Sequence, residues 1–277
     1  MLIMASIQVL ENRPLSPAPT TIWRYMDVMK YVDLLESSLL FLAPLTSMSD
    51  KWEGAAGPHS ALEDEINNLM ISKGISRDQA TTIVQSAEIM SQQDRGRAYI
   101  NCWNSSTNES AAMWNIYAGQ GKGIAIQSRA DLLISSFTDT TGLFLVPVQY
   151  KNFEKSTTNY SPLELYTTKR ESYSFEQELR VIRYDVLDRS RPMTEQEIKQ
   201  YHPDQGRETI LDSSLRPQFY RYQVRLEDLI TAVVVHPGCP NWVYEDIRSL
   251  TKRYGYHFQV KRSSLESNPS YLRYRFD

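Results

Sequence analysis

Two glutamates stand two residues apart in ESYSFEQELRVIRYD, residues 171–185, with an arginine two further on and an apolar run around it. On a strand, alternate residues share a face, so Glu176, Glu178, Arg180, Ile182 and Tyr184 point one way and Leu179 and Val181 the other. Like charges at the mouth of a buried strand have two readings. One is structural, with Glu178 and Arg180 a same-face ion pair. The other is chemical: one carboxylate stabilises developing positive charge, and a second orients or deprotonates an acceptor. Glu178 begins the apolar run, where backbone is most firmly held, and suits the first task. Glu176, one pleat earlier in the looser SYSF approach, suits the second.

Three other stretches are dense in chemistry: WRYM (23–26), SMSDKWEG (47–54) and NCWNSSTNESAAMWNIYAGQGKG (101–123). Arg24 can hold a pyrophosphate or ribose by charge-assisted hydrogen bonds, or simply snorkel beside Trp23. Trp114 and Tyr117, three apart, either stack on a flat ligand or fill the core side of an amphipathic helix. SSTNES reads equally well as polar ligand contacts or as a helix start capped by Asn108 or Thr107. Asp50 and Glu53 are active groups or loop caps. AGQGKGIAI is Gly-rich but follows a helix and enters a strand, the reverse of a phosphate cradle; a tight turn with positive φ at Gly121 and Gly123 fits it better. No Walker loop, nucleophile elbow or dinucleotide fingerprint is present.

The elements that must position these groups mix strands and helices without regular βαβ alternation. Residues 1–20, with Pro14, Pro17 and Pro19, read as a loose lead-in. TIWRYM is a strand, followed by a helix with Asp27 as N-cap and a buried strand LLFLAP. From about 58 to 95 the pattern is a helical hairpin broken at Gly74. Strands AYINCWN, GIAIQS, LFLVPVQY, ELRVIRY, FYRYQV, ITAVVVHP and HFQVKRS follow, with helices at ESAAMWNIYAG, ADLLISSF and PNWVYEDIRSLTKRYG. Asp185 to Pro217 is a polar excursion with a short helix at TEQEIKQY. The expected fold is α+β, with residues 21–277 a single domain having a split, mostly antiparallel β-core, flanking helices and the hairpin as an insertion.

The chain has 277 residues, 41% hydrophobic and 23% charged, enough to bury a core without staples. A formal net charge of -3 argues against whole-molecule attraction to nucleic acid. Cys102 and Cys239 are far apart, and His59, His202, His236 and His257 do not cluster, so no metal site is expected. SSLLFLAPL is too short to span a bilayer, the N-terminus carries no signal pattern, and a cytoplasmic protein without membrane contact is expected. Seventeen tyrosines and five tryptophans supply either core or ligand-stacking surface.

Taken in order, the dense stretches resemble a bacterial family catalogued as domain of unknown function 2971. The resemblance runs over about residues 22–262: Arg24-Tyr25 on a first strand, an acidic loop at Ser49 to Glu53, Cys102-Trp103-Asn104, then Met113, Trp114, Tyr117, Ala118 and Gly123, and finally Phe175, Glu176, Glu178 and Arg180. Ser49, Lys51 and Asn104 depart from its pattern. More loosely, Arg24, Ser105 to Thr107 and Glu176-x-Glu178 look like the Arg–Ser–Glu arrangement of ADP-ribosyltransferases. That resemblance implies an enzyme consuming NAD by transfer or hydrolysis. Glu178 would act on the ribose, Glu176 on an acceptor macromolecule, and Arg24 on the pyrophosphate or ribose. Tyr25, Asn104, Ser105, Trp114, Tyr117 and Arg180 would line the nucleotide site. A growth-arrest or phage-defence effector is the role it suggests. The alternatives are a nucleotide-sensing or interaction module without turnover, and a metal-independent ribonuclease using Arg180, His236 and Glu178.

Overall fold

The computed structural model describes residues 20–54, 59–119, 121–153, 162–184 and 218–267. The lead-in, the excursion and its TEQEIKQY helix lie outside the described residues. β1 (Thr21–Asp27) buries residues on both of its faces. Asp27 then caps α1 (Val28–Ser37), its side chain accepting from the Lys30 amide at 2.9 Å, as the sequence suggests. Ser38, at φ 52°, ends the helix and feeds β2 (Leu39–Pro44). The hairpin of α2 (His59–Lys73) and α3 (Arg77–Arg95) closes on its own small cluster of Ile66, Ala80 and Val84, separate from the main core. It is an insertion.

β3 (Ala98–Ser105) is followed by α4 (Ala111–Tyr117), β4 (Gly123–Arg129), α5 (Ala130–Ser136) and β5 (Leu143–Pro147). The α4 cap is Ser110, whose side chain accepts from the Met113 amide, rather than Asn108 or Thr107. The expected strand 143–150 is two strands. Pro147 still pairs with Leu179 and the Val148 amide reaches the Glu178 carbonyl at 2.8 Å, after which the chain leaves that partner and continues as β6 (Gln149–Lys151) in a different pairing. α6 (Pro162–Thr167), β7 (Thr168–Arg170) and β8 (Glu178–Tyr184) come next. The described chain closes with β9 (Tyr220–Gln223), α7 (Leu226–Leu229), β10 (Ala232–Val235), α8 (Asn241–Arg253) and β11 (Gln259–Arg262).

Among the described residues, nine strands form one mixed, mostly antiparallel sheet; β10 and β11 run parallel, while β6 and β7 make a separate parallel pair. The architecture is α+β with a split β-core. β8 pairs along one whole edge of β3, from Ala98↔Tyr184 to Asn104↔Glu178. Two strands share the opposite edge: β2 meets Tyr99 and Ile100, and β1 meets Asn104 and Ser105. Between them Asn101, Cys102 and Trp103 have no strand partner on that edge, and the sheet opens. The Asn101 side chain partly bridges the opening, donating to the Phe41 carbonyl at 2.8 Å and accepting from Trp103 Nε1 at 2.7 Å.

One face of the sheet carries the main core, including Ile22, Met26, Tyr99, Trp103, Leu179 and Val181. Strand alternation places Asn104, Cys102, Glu178 and Arg180 on the other face. The turn from α4 into β4 uses Gly121 at φ 73°, as expected, but Gly123 is needed for a different reason. A Cβ there would lie 1.8 Å from the Ala118 carbonyl oxygen. Gly123→Ala should therefore cost at least about 1–3 kcal/mol, because backbone has to move. A lowered thermal midpoint would show it, and an unchanged midpoint would mean that the approach relaxes freely.

Candidate functional site

The opening between β1 and β2 leads into a cavity of about 690 Å³, within the range of about 300–1,000 Å³ usual for small-molecule sites. Arg24, Tyr25, Asn104, Tyr117, Glu176, Glu178 and Arg180 all line it. Its walls include Met26, Met29, Leu34, Leu40 and Trp103, so charged groups are set in an apolar surround.

Glu178 starts β8, opposite Asn104, and is buried. Arg180, two residues on and on the same face, donates from Nε to Glu178 Oε1 at 2.7 Å and from NH2 to Oε2 at 2.9 Å. The ion pair is real, but fully buried rather than exposed. Burial pushes the Glu178 carboxyl up, yet Arg180 first and Lys169 second outweigh it and hold it down at about 2. Glu178 is an ionised carboxylate. Cys102 beside it is a partly buried residue whose thiol pKa is pushed well up by desolvation and by the Glu178 charge, which favours the neutral thiol.

Glu176 differs from expectation. It ends a 3₁₀ turn, Glu171–Glu176, and Gln177 at φ 40° breaks the strand alternation before β8 begins. It is also buried, not loosely presented. Its Oε1 accepts from the Tyr117 hydroxyl at 2.8 Å and its Oε2 from Lys169 Nζ at 2.5 Å. The turn thus carries Glu176 to the same ammonium that Glu178 approaches at 3.5 Å. The two carboxylates meet through Lys169 rather than through a shared strand face.

Two more residues complete the cluster: Glu53, which the sequence offers as an active group or a loop cap, and Lys169, which it does not single out. Glu53, in the acidic loop, accepts from Lys169 at 2.8 Å and from Arg180 at 2.9 Å. Lys169 has no local signal in TTKRES; only the fold shows three carboxylates converging on it. Nearby, Asp50 is held in a bidentate pair by Arg170 at 2.8 and 3.0 Å.

The remaining expected residues divide. Asn104 donates from Nδ2 to the Glu176 carbonyl at 2.6 Å, leaving Oδ1 buried without a partner among the described residues. Arg24 lies over the Trp103 ring at 5.9 Å, and its NH1 is out of solvent with no hydrogen-bond partner among the described residues. Burial lowers its pKa to about 10. By alternation Arg24 belongs to the Trp103 face and Glu178 to the opposite one; they reach one cavity because the sheet is open between them. Tyr25 is tied to α4 by accepting from the Ser110 amide at 2.8 Å. Tyr117 is 43% exposed, with its hydroxyl on Glu176.

Trp114 corrects a sequence expectation: it is 1% exposed, packs edge-on to Tyr25 at 5.0 Å and does not line the cavity. It packs in a core cluster with Trp23, Tyr25 and Met113. Ser105 likewise stays outside the lining, its amide bonded to the Gln177 carbonyl at 2.8 Å. Arg180 spends four donor contacts on Glu178, Glu53 and the Tyr166 carbonyl, so its guanidinium is held almost entirely by the protein itself. His236 packs against Trp114 and does not line the cavity, so Arg180, Glu178 and His236 are not brought together.

No protein-family model matches the chain, that of domain of unknown function 2971 included, and no curated protein matches it. Among solved structures it is similar to DarT of Thermus sp. 2.9 in complex with NAD+, 10% identical over 91% of this chain and 99% of that one, with TM-score 0.39. The carba-NAD+ complex of the same protein is 12% identical over 91% and 100%, with TM-score 0.37. Among the described residues no group of His, Cys, Asp and Glu has the geometry of a metal site, and no helix is long and apolar enough to cross a membrane.

The Glu178 pair sets a pH dependence. A carboxylate with a lowered folded pKa adds stability that is complete above its ordinary value of 4.5 and is lost as pH falls toward about 2. Thermal midpoints should drop across that window in the parent. Glu178→Gln should remove part of the slope, and equal slopes in the two proteins would show that the pair carries none of it.

Proposed function

We propose that the cavity takes NAD and that the chain is an ADP-ribosyltransferase-like enzyme cleaving the nicotinamide–ribose bond. The observation that carries this is the separation of charge across the opening. On one side three buried carboxylates, Glu53, Glu176 and Glu178, face two cations, Lys169 and Arg180, leaving one negative charge in excess. On the other side Arg24 lines the same cavity without a carboxylate partner among the described residues. A ligand with a cationic end and an anionic middle fits that pattern, and NAD, with its nicotinamide ring and pyrophosphate, is such a molecule.

In this reading the C1′–N bond breaks with its electron pair going to the nicotinamide nitrogen, which leaves neutral. Positive charge then develops on the ribose beside ionised Glu178, in an environment where a fixed charge acts strongly. Water or an acceptor attacks C1′ and gives its proton toward Glu176, reached through the Tyr117 hydroxyl. Arg24 holds the pyrophosphate. The acceptor is a macromolecule in the transfer form and water in the hydrolytic form. A cytoplasmic effector that depletes NAD would arrest growth, which is the biological role this activity suits.

A second reading has its own support. Every carboxylate oxygen of Glu176 and Glu178 is already bonded within the protein, which suits a nucleotide-sensing module without turnover. Incubating the protein with NAD, with and without cell extract, and measuring free nicotinamide separates the two. Release in the parent with about 10²–10³ lost in Glu178→Gln supports the enzyme. Binding without release selects the sensor, and neither binding nor release sinks both.

Glu176→Gln should spare cleavage and impair transfer to an acceptor, read as nicotinamide release continuing while labelled product disappears. Equal loss of both would assign Glu176 to the bond-breaking step instead.

A further inference from the structure

We propose that Lys169 is a positioning residue whose charge, offset by Glu53, keeps Glu176 and Glu178 ionised side by side at the floor of the cavity. Lys169 sits on the three-residue strand β7 and is buried. Its Nζ lies 2.8 Å from Glu53 Oε1, 2.5 Å from Glu176 Oε2 and 3.5 Å from Glu178 Oε2, with the Tyr173 ring at 4.8 Å on another side. An ammonium has three protons, and here three carboxylates surround it from the acidic loop, the 3₁₀ turn and β8.

Other ionisable groups face the cluster from every packed element: Arg180 on β8, Cys102 on β3, Tyr117 on α4, Tyr150 on β6 and Tyr173 in the turn, with the Asp50–Arg170 pair alongside. Cys102, Tyr117 and Tyr150 are pushed upward by burial and stay neutral near pH 7. The charge count of the floor is therefore made by three carboxylates and two cations. Deleting Lys169 would leave a two-charge excess, and neighbouring carboxylates in a buried site relieve such an excess by taking up a proton. Deleting Lys169 and Glu53 together returns the excess to one.

The consequence for catalysis rests on the NAD reading; the electrostatic role does not. Lys169→Met, Lys169→Arg and Lys169→Met/Glu53→Gln are made in the full chain. Each is followed by the pH profile of nicotinamide release and by carbon-13 NMR titration of the glutamate carboxyls. In Lys169→Met one carboxyl should titrate about 1–3 pH units higher than in the parent. The acidic limb of kcat should rise with it, at about tenfold in rate per pH unit, while KM for NAD changes little. Lys169→Arg should keep the parent profile, and the double variant should restore it.

An unmoved carboxyl titration in folded Lys169→Met, or the same rise in Lys169→Arg, overturns the proposal. If the parent releases no nicotinamide, the NAD reading fails and the titrations alone decide this one. If Lys169→Met does not fold, the double variant decides. Folding with a parent-like titration supports the proposal; a raised titration, or failure to fold, overturns it.

Discussion

Two strands cannot pair with the same residues of a third, and the structure turns on how β1 and β2 share one edge of β3. β8 fully occupies the other edge, so the middle of β3 is where the sheet gives way. Backbone groups left without a ladder partner must be satisfied otherwise, and the Asn101 amide meets part of that need by bonding the Phe41 carbonyl. The opening also defeats the strict two-face logic of a strand. Arg24 and Glu178 leave their strands toward opposite faces yet line one cavity, because no continuous sheet separates them there.

A buried cluster of five charges is hard to justify by stability alone. Desolvating ions costs several kcal/mol each, and apolar residues of similar volume are often as good or better. The cluster persists here with almost every oxygen and proton matched: Arg180 to Glu178, Glu53 and a carbonyl, and Lys169 to three carboxylates. Such matching fixes the carboxylates in place, so little reorganisation remains when a positive charge arrives. That is the condition under which fixed charges lower a barrier most.

Elements with a local signal were legible in the sequence. The Asp27 cap, the Gly74 break in the hairpin and the alternating run of β8 each follow from a few neighbouring residues. The misses share a different origin. The α4 start depends on which of several adjacent polar residues adopts an extended backbone, and Ser110 does so. Gln177 in a left-handed conformation turns an apparent strand residue, Glu176, into the end of a 3₁₀ turn. Lys169 and Glu53 lie far apart in the chain, and only folding makes them partners. Trp114 shows the limit of spacing arguments, since residues three apart on one helix diverged into a core residue and a cavity residue.

The two glutamates differ by electrostatics more than by position in the chain. A general base works best with a pKa near the operating pH, and Glu178, held near 2, is far too weak a proton acceptor for that task. The same pairing that weakens it as a base secures its negative charge well below neutral pH. Arg180 does not cancel that charge for a ligand, because its other contacts are spent on Glu53 and the Tyr166 carbonyl and the cluster keeps a negative excess. In the enzymatic reading, proton transfer would fall to a group in contact with an exchangeable proton near solvent. Glu176 suits that part, since its Tyr117 partner is partly exposed at the cavity wall. Looser backbone does not distinguish the two: both carboxylates are firmly held, and they differ in their partners.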